Sequence, residues 1–263
     1  MNLQQLVDEL SAFLLTHAAK TPFVFGVSGG QGAGKSTLCH ALAEALATQN
    51  KTALTLSLDD FYLSKAERQD LATNVHPLCA TRGVPGTHDV ALLAAVLNGL
   101  STASPDAPLD LPRFSKSHDD RISPTRLDFC PDFVFLEGWC VGGHAACIEA
   151  KPQNEWEKTH DPDAVWKSWS QTQAADYQKI WQACDAMMLL RQENFDAVID
   201  SRWLQEQGNA SASGVWQFAD REAVAAFCAH YESWTLGIWK DLTPCADFVI
   251  GRDAAYDYYP LRG

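Results

Sequence analysis

Residues Phe23–Thr37 read FVFGVSGGQGAGKST, and this stretch decides the fold. Phe23–Ser28 is a short apolar run after Pro22 that leads into glycines, which is the pattern of a buried strand. Gly29-Gly30-Gln31-Gly32-Ala33-Gly34-Lys35-Ser36 fits G-x-x-x-x-G-K-[ST] throughout. Lys35–Ala47 then carries Leu38, Leu42 and Leu46 at helical spacing. Strand, glycine loop and helix in that order are the setting of a phosphate-binding loop. The glycines let backbone N–H groups curl around an anion, and the helix N-terminus adds a positive dipole. The backbone of residues 29–37, which ends in Thr37, is expected to hold phosphates. Lys35 is expected to reach the β- and γ-phosphates, and the Ser36 hydroxyl to ligate Mg²⁺. The chain has no N-K-x-D guanine motif, so ATP is expected rather than GTP.

Outward from this loop, strand and helix patterns alternate. Further strands are expected at Ala53–Leu58, Phe133–Leu136, Ala186–Leu190 and Ala246–Ile250. Helices are expected at the N-terminus, at 89–100, at 195–207 and at 220–240, with 144–183 mostly helical and 208–214 a flexible break. Five short apolar strands separated by helices imply an α/β fold: a P-loop NTPase fold with a five-stranded parallel sheet covered on both faces. The alternation carries through the whole chain, so 1–263 reads as a single P-loop domain. It opens with an N-terminal helix within 1–20. The irregular segments 61–88 and 101–132 read as substrate loops or lids, and 144–183 as a helical insert. Within that insert Trp166 and Trp169 fall at the spacing of core packing.

The chain has 263 residues, 46% of them hydrophobic, with 20 Lys+Arg against 33 Asp+Glu, a balance of 20 − 33 = −13. That charge argues against a general nucleic-acid binder and against docking on anionic membranes. No stretch approaches the ~20 apolar residues of a membrane span, and residues 1–20 lack an export pattern. The eight cysteines form no C-x-x-C pair and read as reduced thiols of a cytoplasmic protein. Cys140, His144 and Cys147 lie close together, but their spacing fits no common zinc template.

Acidic residues end two of the expected strands. Asp59 and Asp60 follow the second, and Glu137 ends the third, on the edge where α/β sheets bind ligands. A phosphoryl transferase needs carboxylates there to hold Mg²⁺ and to accept the proton of an attacking hydroxyl. Ser36, Asp59 and Glu137 are therefore the candidate metal ligands, and Lys35, Asp59 and Glu137 the candidate catalytic residues. The two loops concentrate groups suited to an anionic small molecule: Tyr62, Arg82, Thr87 and His88 in the first, Arg113 and Lys116 in the second.

Ser57-Leu58-Asp59-Asp60-Phe61-Tyr62 resembles the S-x-D-[DS]-F-Y segment of uridine kinase, phosphoribulokinase and pantothenate kinase relatives. The resemblance implies that Asp59 is the catalytic base. His76-Pro77-Leu78 together with Arg82-Gly83-Val84-Pro85-Gly86-Thr87-His88-Asp89 is similar to a stretch of D-glycerate 3-kinases. Leu111–Lys116, Phe135–Gly142 and Arg202–Gln207 also resemble that family, and the likeness runs from about Phe23 to Ile250. It implies phosphorylation of D-glycerate by ATP with Mg²⁺, with Arg202 part of a lid over the nucleotide. Kinases of a nucleoside, pantothenate or a sugar phosphate remain open as rivals. So do a non-catalytic ATP-binding regulator and a P-loop chaperone or adaptor.

Overall fold

The computed structural model describes residues 1–214, 216–253 and 257–262. The chain begins with α1 (Leu3–His17), β1 (Phe23–Gly29), α2 (Lys35–Ala47), β2 (Ala53–Ser57), α3 (Lys65–Asn74) and α4 (Val90–Gly99). It continues with β3 (Leu109–Ser115), β4 (Asp120–Leu127), β5 (Phe133–Gly138), α5 (Glu155–His160), α6 (Val165–Trp181) and β6 (Ala186–Gln192). The remaining elements are α7 (Phe195–Ser213), α8 (Arg221–Ala229), α9 (Glu232–Leu242), β7 (Phe248–Arg252) and β8 (Tyr258–Arg262).

Six strands form one sheet in the order β2-β5-β1-β6-β7-β8. The five expected strands pair in parallel. The sheet is nonetheless mixed, because β8 adds an antiparallel edge. β1 is its centre, with all seven residues buried. Strand residues alternate between faces, and here both faces are dry. Phe23, Phe25 and Val27 pack with Leu6 and Leu10 of α1 and with Leu38 and Leu42 of α2. Val24 faces the other way, into a core that includes Leu136, Trp166 and Trp234. Each such buried side chain contributes about 1.5–3 kcal/mol. The α2 helix is therefore held firmly behind the loop that precedes it.

The structure departs from the sequence reading in several places. Segment 61–88 contains α3, started by a capping box between Ser64 and Glu67. Segment 101–132 contains a hairpin, since β3 and β4 pair antiparallel. The expected break at 208–214 is helix as far as Ser213. The expected helix 220–240 is two helices, α8 and α9, parted at His230 and Tyr231. The insert 144–183 holds α5, α6 and one short turn at Ala145–Cys147. Among the described residues, no helix is long and apolar enough to cross a membrane.

Candidate active site

The carboxyl ends of β1, β2 and β5 open into a cleft of about 930 Å³. Parallel pairing sets the positions of its walls. Ser28 stands beside Gly138, and Ser57 beside Glu137, so the glycine loop, Glu137 and the end of β2 lie side by side.

Lys35 opens α2 immediately after Gly34, whose φ of 93° lies in the left-handed region that favours glycine. Among the described residues, no side chain caps this helix. Its first N–H groups, which have no intrahelical partners, are thus left for an anion. The Lys35 ammonium donates to the carbonyls of Gly29 (2.8 Å) and Gly30 (3.1 Å). Burial lowers its pKa, while Glu137 and Asp59 oppose that shift. The Ser36 hydroxyl donates to Glu137 Oε1 at 3.0 Å. Gln31, Gly32 and Thr37 line the same end of the cleft, and Ala33 is buried behind it. Arg252, at the end of β7, donates from Nη1 to the carbonyl of Gly32 at 2.8 Å.

A short turn at Leu58–Phe61 carries the two aspartates in different directions. Asp59 accepts from Tyr62 Oη at 3.0 Å and faces Lys116 Nζ at 2.6 Å. Burial alone would raise its pKa. The Lys116 ammonium outweighs burial and, helped by His88 and Lys35, holds the carboxyl at about 2. Asp60 accepts from Arg113 Nη1 (2.9 Å) and from the N–H of Phe114 (3.0 Å). Burial raises its pKa against those bonds. Asp60 thus fastens the β3–β4 hairpin to the sheet, and Asp59 is the aspartate paired with an exposed cation.

Arg82 lies 5.5 Å from the Phe114 ring and pairs with Asp119 at the hairpin turn. Its backbone is clamped from two sides. Tyr231 Oη donates to the Arg82 carbonyl at 2.9 Å, and Trp139 Nε1 to the Gly83 carbonyl at 3.1 Å. Arg82, Arg113, Lys116 and Tyr62 all line the cleft. Thr87 and His88, expected among the substrate-binding residues, do not. Thr87 is fully buried, where its hydroxyl accepts from Gly83 N–H and donates to the Val84 carbonyl, closing the turn. His88 stacks on Tyr62 at 4.4 Å and bonds to Tyr177 Oη at 2.8 Å. Burial lowers its pKa to about 4. At neutral pH it supplies no positive charge, and it supports Tyr62 from behind. Arg202 reaches the cleft from α7, bonded to Glu206 and Gln217 at 3.2 Å each and lying 5.1 Å from the Phe218 ring.

A family model described as the KAP family P-loop domain matches residues 3–80. D-glycerate 3-kinase, chloroplastic, of Arabidopsis thaliana is 34% identical over 132 residues, 46% of this chain and 29% of that protein. The structure of D-glycerate 3-kinase from Cryptococcus neoformans superposes with a TM-score of 0.77 at 23% identity, covering 97% of this chain and 99% of that one. At that identity the likeness is one of fold. An uncharacterized kinase of Schizosaccharomyces pombe is 32% identical over 245 residues, 88% of this chain and 86% of that protein. The chain belongs to the same family of P-loop kinases as this Schizosaccharomyces pombe protein.

Several cleft residues of this P-loop kinase escaped the sequence reading. Trp139 lies inside the quoted Phe135–Gly142 segment, and the signal that could have found it is an indole N–H that needs a partner when buried. Tyr231 reads in the expected helix 220–240 as one position of a stripe with Val224, Phe227, Trp234 and Ile238, although its hydroxyl does the holding. Arg252 and Thr55 carry no local motif, and only the sheet order brings them to the cleft of the kinase.

Proposed function

We propose that this P-loop kinase transfers the γ-phosphoryl group of ATP to a hydroxyl of D-glycerate, with Mg²⁺ as cofactor. One juxtaposition carries the reading. A phosphate cradle built on Lys35 and Ser36 shares a cleft with an Asp59 held ionised by Lys116, and Arg113 and Arg82 line the same cleft. Phosphoryl transfer needs positioning and charge neutralisation more than covalent chemistry. The cleft offers both, with cations at each end and a carboxylate between.

The donor set fits a hard cation. Ser36 Oγ and Glu137 Oε1 already converge at 3.0 Å, and Asp59 lies in the same cleft, so the oxygens Mg²⁺ prefers are grouped beside the phosphate loop. When bound, Mg²⁺ supplies neutralisation of phosphate charge. The remaining roles fall to the chain itself. The Lys35 ammonium and the first N–H groups of α2 neutralise and orient the phosphates. Asp59 orients the acceptor hydroxyl and takes its proton. Arg82 and Arg113 offer planar guanidinium groups to a carboxylate, which two parallel hydrogen bonds can grip. Lys116 is the cation free enough to leave Asp59 for an incoming anion, since its side chain is 63% exposed. Arg202 folds over the nucleotide as part of a lid. The whole chain serves as one kinase unit in this reading, soluble in the cytoplasm and acting on a small molecule.

The test is ADP release with a panel of acceptors: D-glycerate, L-glycerate, pantothenate, uridine and a sugar phosphate. D-glycerate should be turned over with a kcat/KM within the usual enzyme range of about 10⁴–10⁸ M⁻¹ s⁻¹. Efficient turnover of another acceptor, with D-glycerate inert, would sink the assignment and leave the kinase standing.

A further inference from the structure

We propose that His144, Cys147 and Asp241 form a second metal site, outside the kinase cleft, that takes a borderline divalent cation of the Zn²⁺ class with water in the fourth position. One ligand atom from each residue lies within 4.8 Å of the other two. His144 Nε2 stands 3.5 Å from Asp241 Oδ2, and the backbone N–H of His144 donates to Cys147 Sγ at 3.4 Å. None of the three lines the nucleotide cleft. Cys140, the sequence neighbour that suggested itself as a partner, is buried elsewhere and is not in the cluster.

The site is built before any ion arrives. His144 and Cys147 flank a short turn after β5 that is pinned by α6. Trp181 Nε1 donates to the Gly143 carbonyl at 2.7 Å, and Gln171 Nε2 donates to the carbonyls of Ala145 (2.9 Å) and Ile148 (2.7 Å). The α9 helix is laid directly on this turn. A Cβ at Gly237 would sit 1.8 Å from the Cys147 carbonyl, so only glycine allows the approach. Asp241, one helical turn further along α9, is thereby brought to the two ring and sulfur donors. Fixed backbone on both sides leaves only side-chain rotation for closure.

The donor chemistry selects the ion. One nitrogen, one sulfur and one carboxylate oxygen are a poor set for Mg²⁺ or Ca²⁺, which take oxygens. Zn²⁺ accepts all three, at bond lengths near 2.0–2.3 Å, which in a tetrahedron place neighbouring ligand atoms about 3.3–3.8 Å apart. The His144–Asp241 pair already lies in that range at 3.5 Å, and all three ligand atoms lie within 4.8 Å of one another. Binding converts the Cys147 thiol to thiolate and releases its proton to solvent. The bound ion would tie the turn after β5 to α9.

The experiment titrates the purified, metal-free full chain with Co²⁺ and reads its absorption, then displaces Co²⁺ with Zn²⁺. One equivalent should give a thiolate-to-cobalt charge-transfer band together with tetrahedral d–d bands. The oxygen ligands of the kinase cleft contain no sulfur, so Co²⁺ bound there gives no such band. Cys147→Ser should abolish the band. Asp241→Asn, a change at a partly exposed position that the fold tolerates, should weaken binding by at least about tenfold. Zn²⁺ should raise the Tm of wild type more than that of Asp241→Asn. Cys245→Ser, which removes the exposed thiol one turn beyond Asp241, should leave the band intact. The proposal falls if wild type gives no thiolate band, if the band survives in Cys147→Ser, or if Cys245→Ser removes it.

Discussion

Lys116 Nζ lies 2.6 Å from Asp59 Oδ2, so the proposed base is held ionised by a lysine whose side chain is mostly in solvent. This pairing has a sign that can be tested. The Asp59 pKa of about 2 is depressed below the ordinary carboxylate value near 3.9. A depressed carboxylate contributes stability that is complete above its unfolded pKa and is lost as pH falls through the folded value. Lys116→Met removes the main cause of the depression. The acid limb of kcat/KM, which reports the free enzyme, should therefore move to higher pH, and acid unfolding should begin at higher pH. A pH–rate profile and an acid titration by circular dichroism check both. An unmoved acid limb would show that Lys116 does not set the ionisation of the base.

Asp59→Asn should lower kcat by about 10²–10⁴-fold, the usual cost of losing a general base, with little change in ATP binding. Asp60→Asn should act differently. Asp60 holds Arg113 and the Phe114 N–H, so its loss should loosen the hairpin and raise the acceptor KM. A dead Asp60→Asn beside an active Asp59→Asn would exchange the two roles.

Lys35→Ala should lower turnover by about 10²–10³-fold, the usual cost of removing one group that stabilises developing charge. The fold should persist, because among the described residues the ammonium donates hydrogen bonds only to the Gly29 and Gly30 carbonyls of the loop. Steady-state kinetics with a thermal melt separates the two effects.

Arg82→Lys should raise KM for D-glycerate and leave KM for ATP near normal. A charge-assisted hydrogen bond is worth about 1.5–3 kcal/mol, or roughly ten- to 150-fold, and lysine cannot present two parallel donors. A shift in the ATP KM instead would assign Arg82 to the nucleotide.

Gly83→Ala should damage the same loop through its backbone. The φ of 144° and a Tyr231 carbon 2.2 Å from the added Cβ both oppose a side chain. A strained backbone costs about 1–3 kcal/mol, and Tyr231 must also retreat from the Arg82 carbonyl. The Tm should fall and the acceptor KM should rise. An unchanged acceptor KM would mean that the Tyr231 clamp has no part in placing Arg82.

The parts of this kinase that were legible in the sequence are those where one physical signal dominates. The phosphate loop has fixed residue types at fixed spacing, and β1 and α2 around it have clean apolar patterns. The two aspartates and Glu137 were legible because strand ends mark them. The β3–β4 hairpin was not. Pro112 interrupts β3, and β4 reads DRISPTRL, with most positions exposed, so neither strand alternates apolar and polar. The α3 helix has no apolar stripe, and its one buried residue is Arg68. The break between α8 and α9 was hidden because apolar positions continue across it while the backbone turns at Tyr231. His88 was misplaced for a different reason. Composition reveals that a residue can carry charge, and only burial decides whether it does.

The carbonyl of Gly32 is held by Arg252, 220 positions further along the chain. β1, just ahead of the glycine loop, pairs with β5 and β6 rather than with its sequence neighbours. The nucleotide cradle thus takes its supports from segments that lie far beyond it in the chain. Pairings this distant in sequence form slowly, because a long loop must close before any contact repays it. The Gly32 carbonyl gains its Arg252 partner only once β7 is in place, so the cradle is completed by the folding of the whole sheet and not by its own segment.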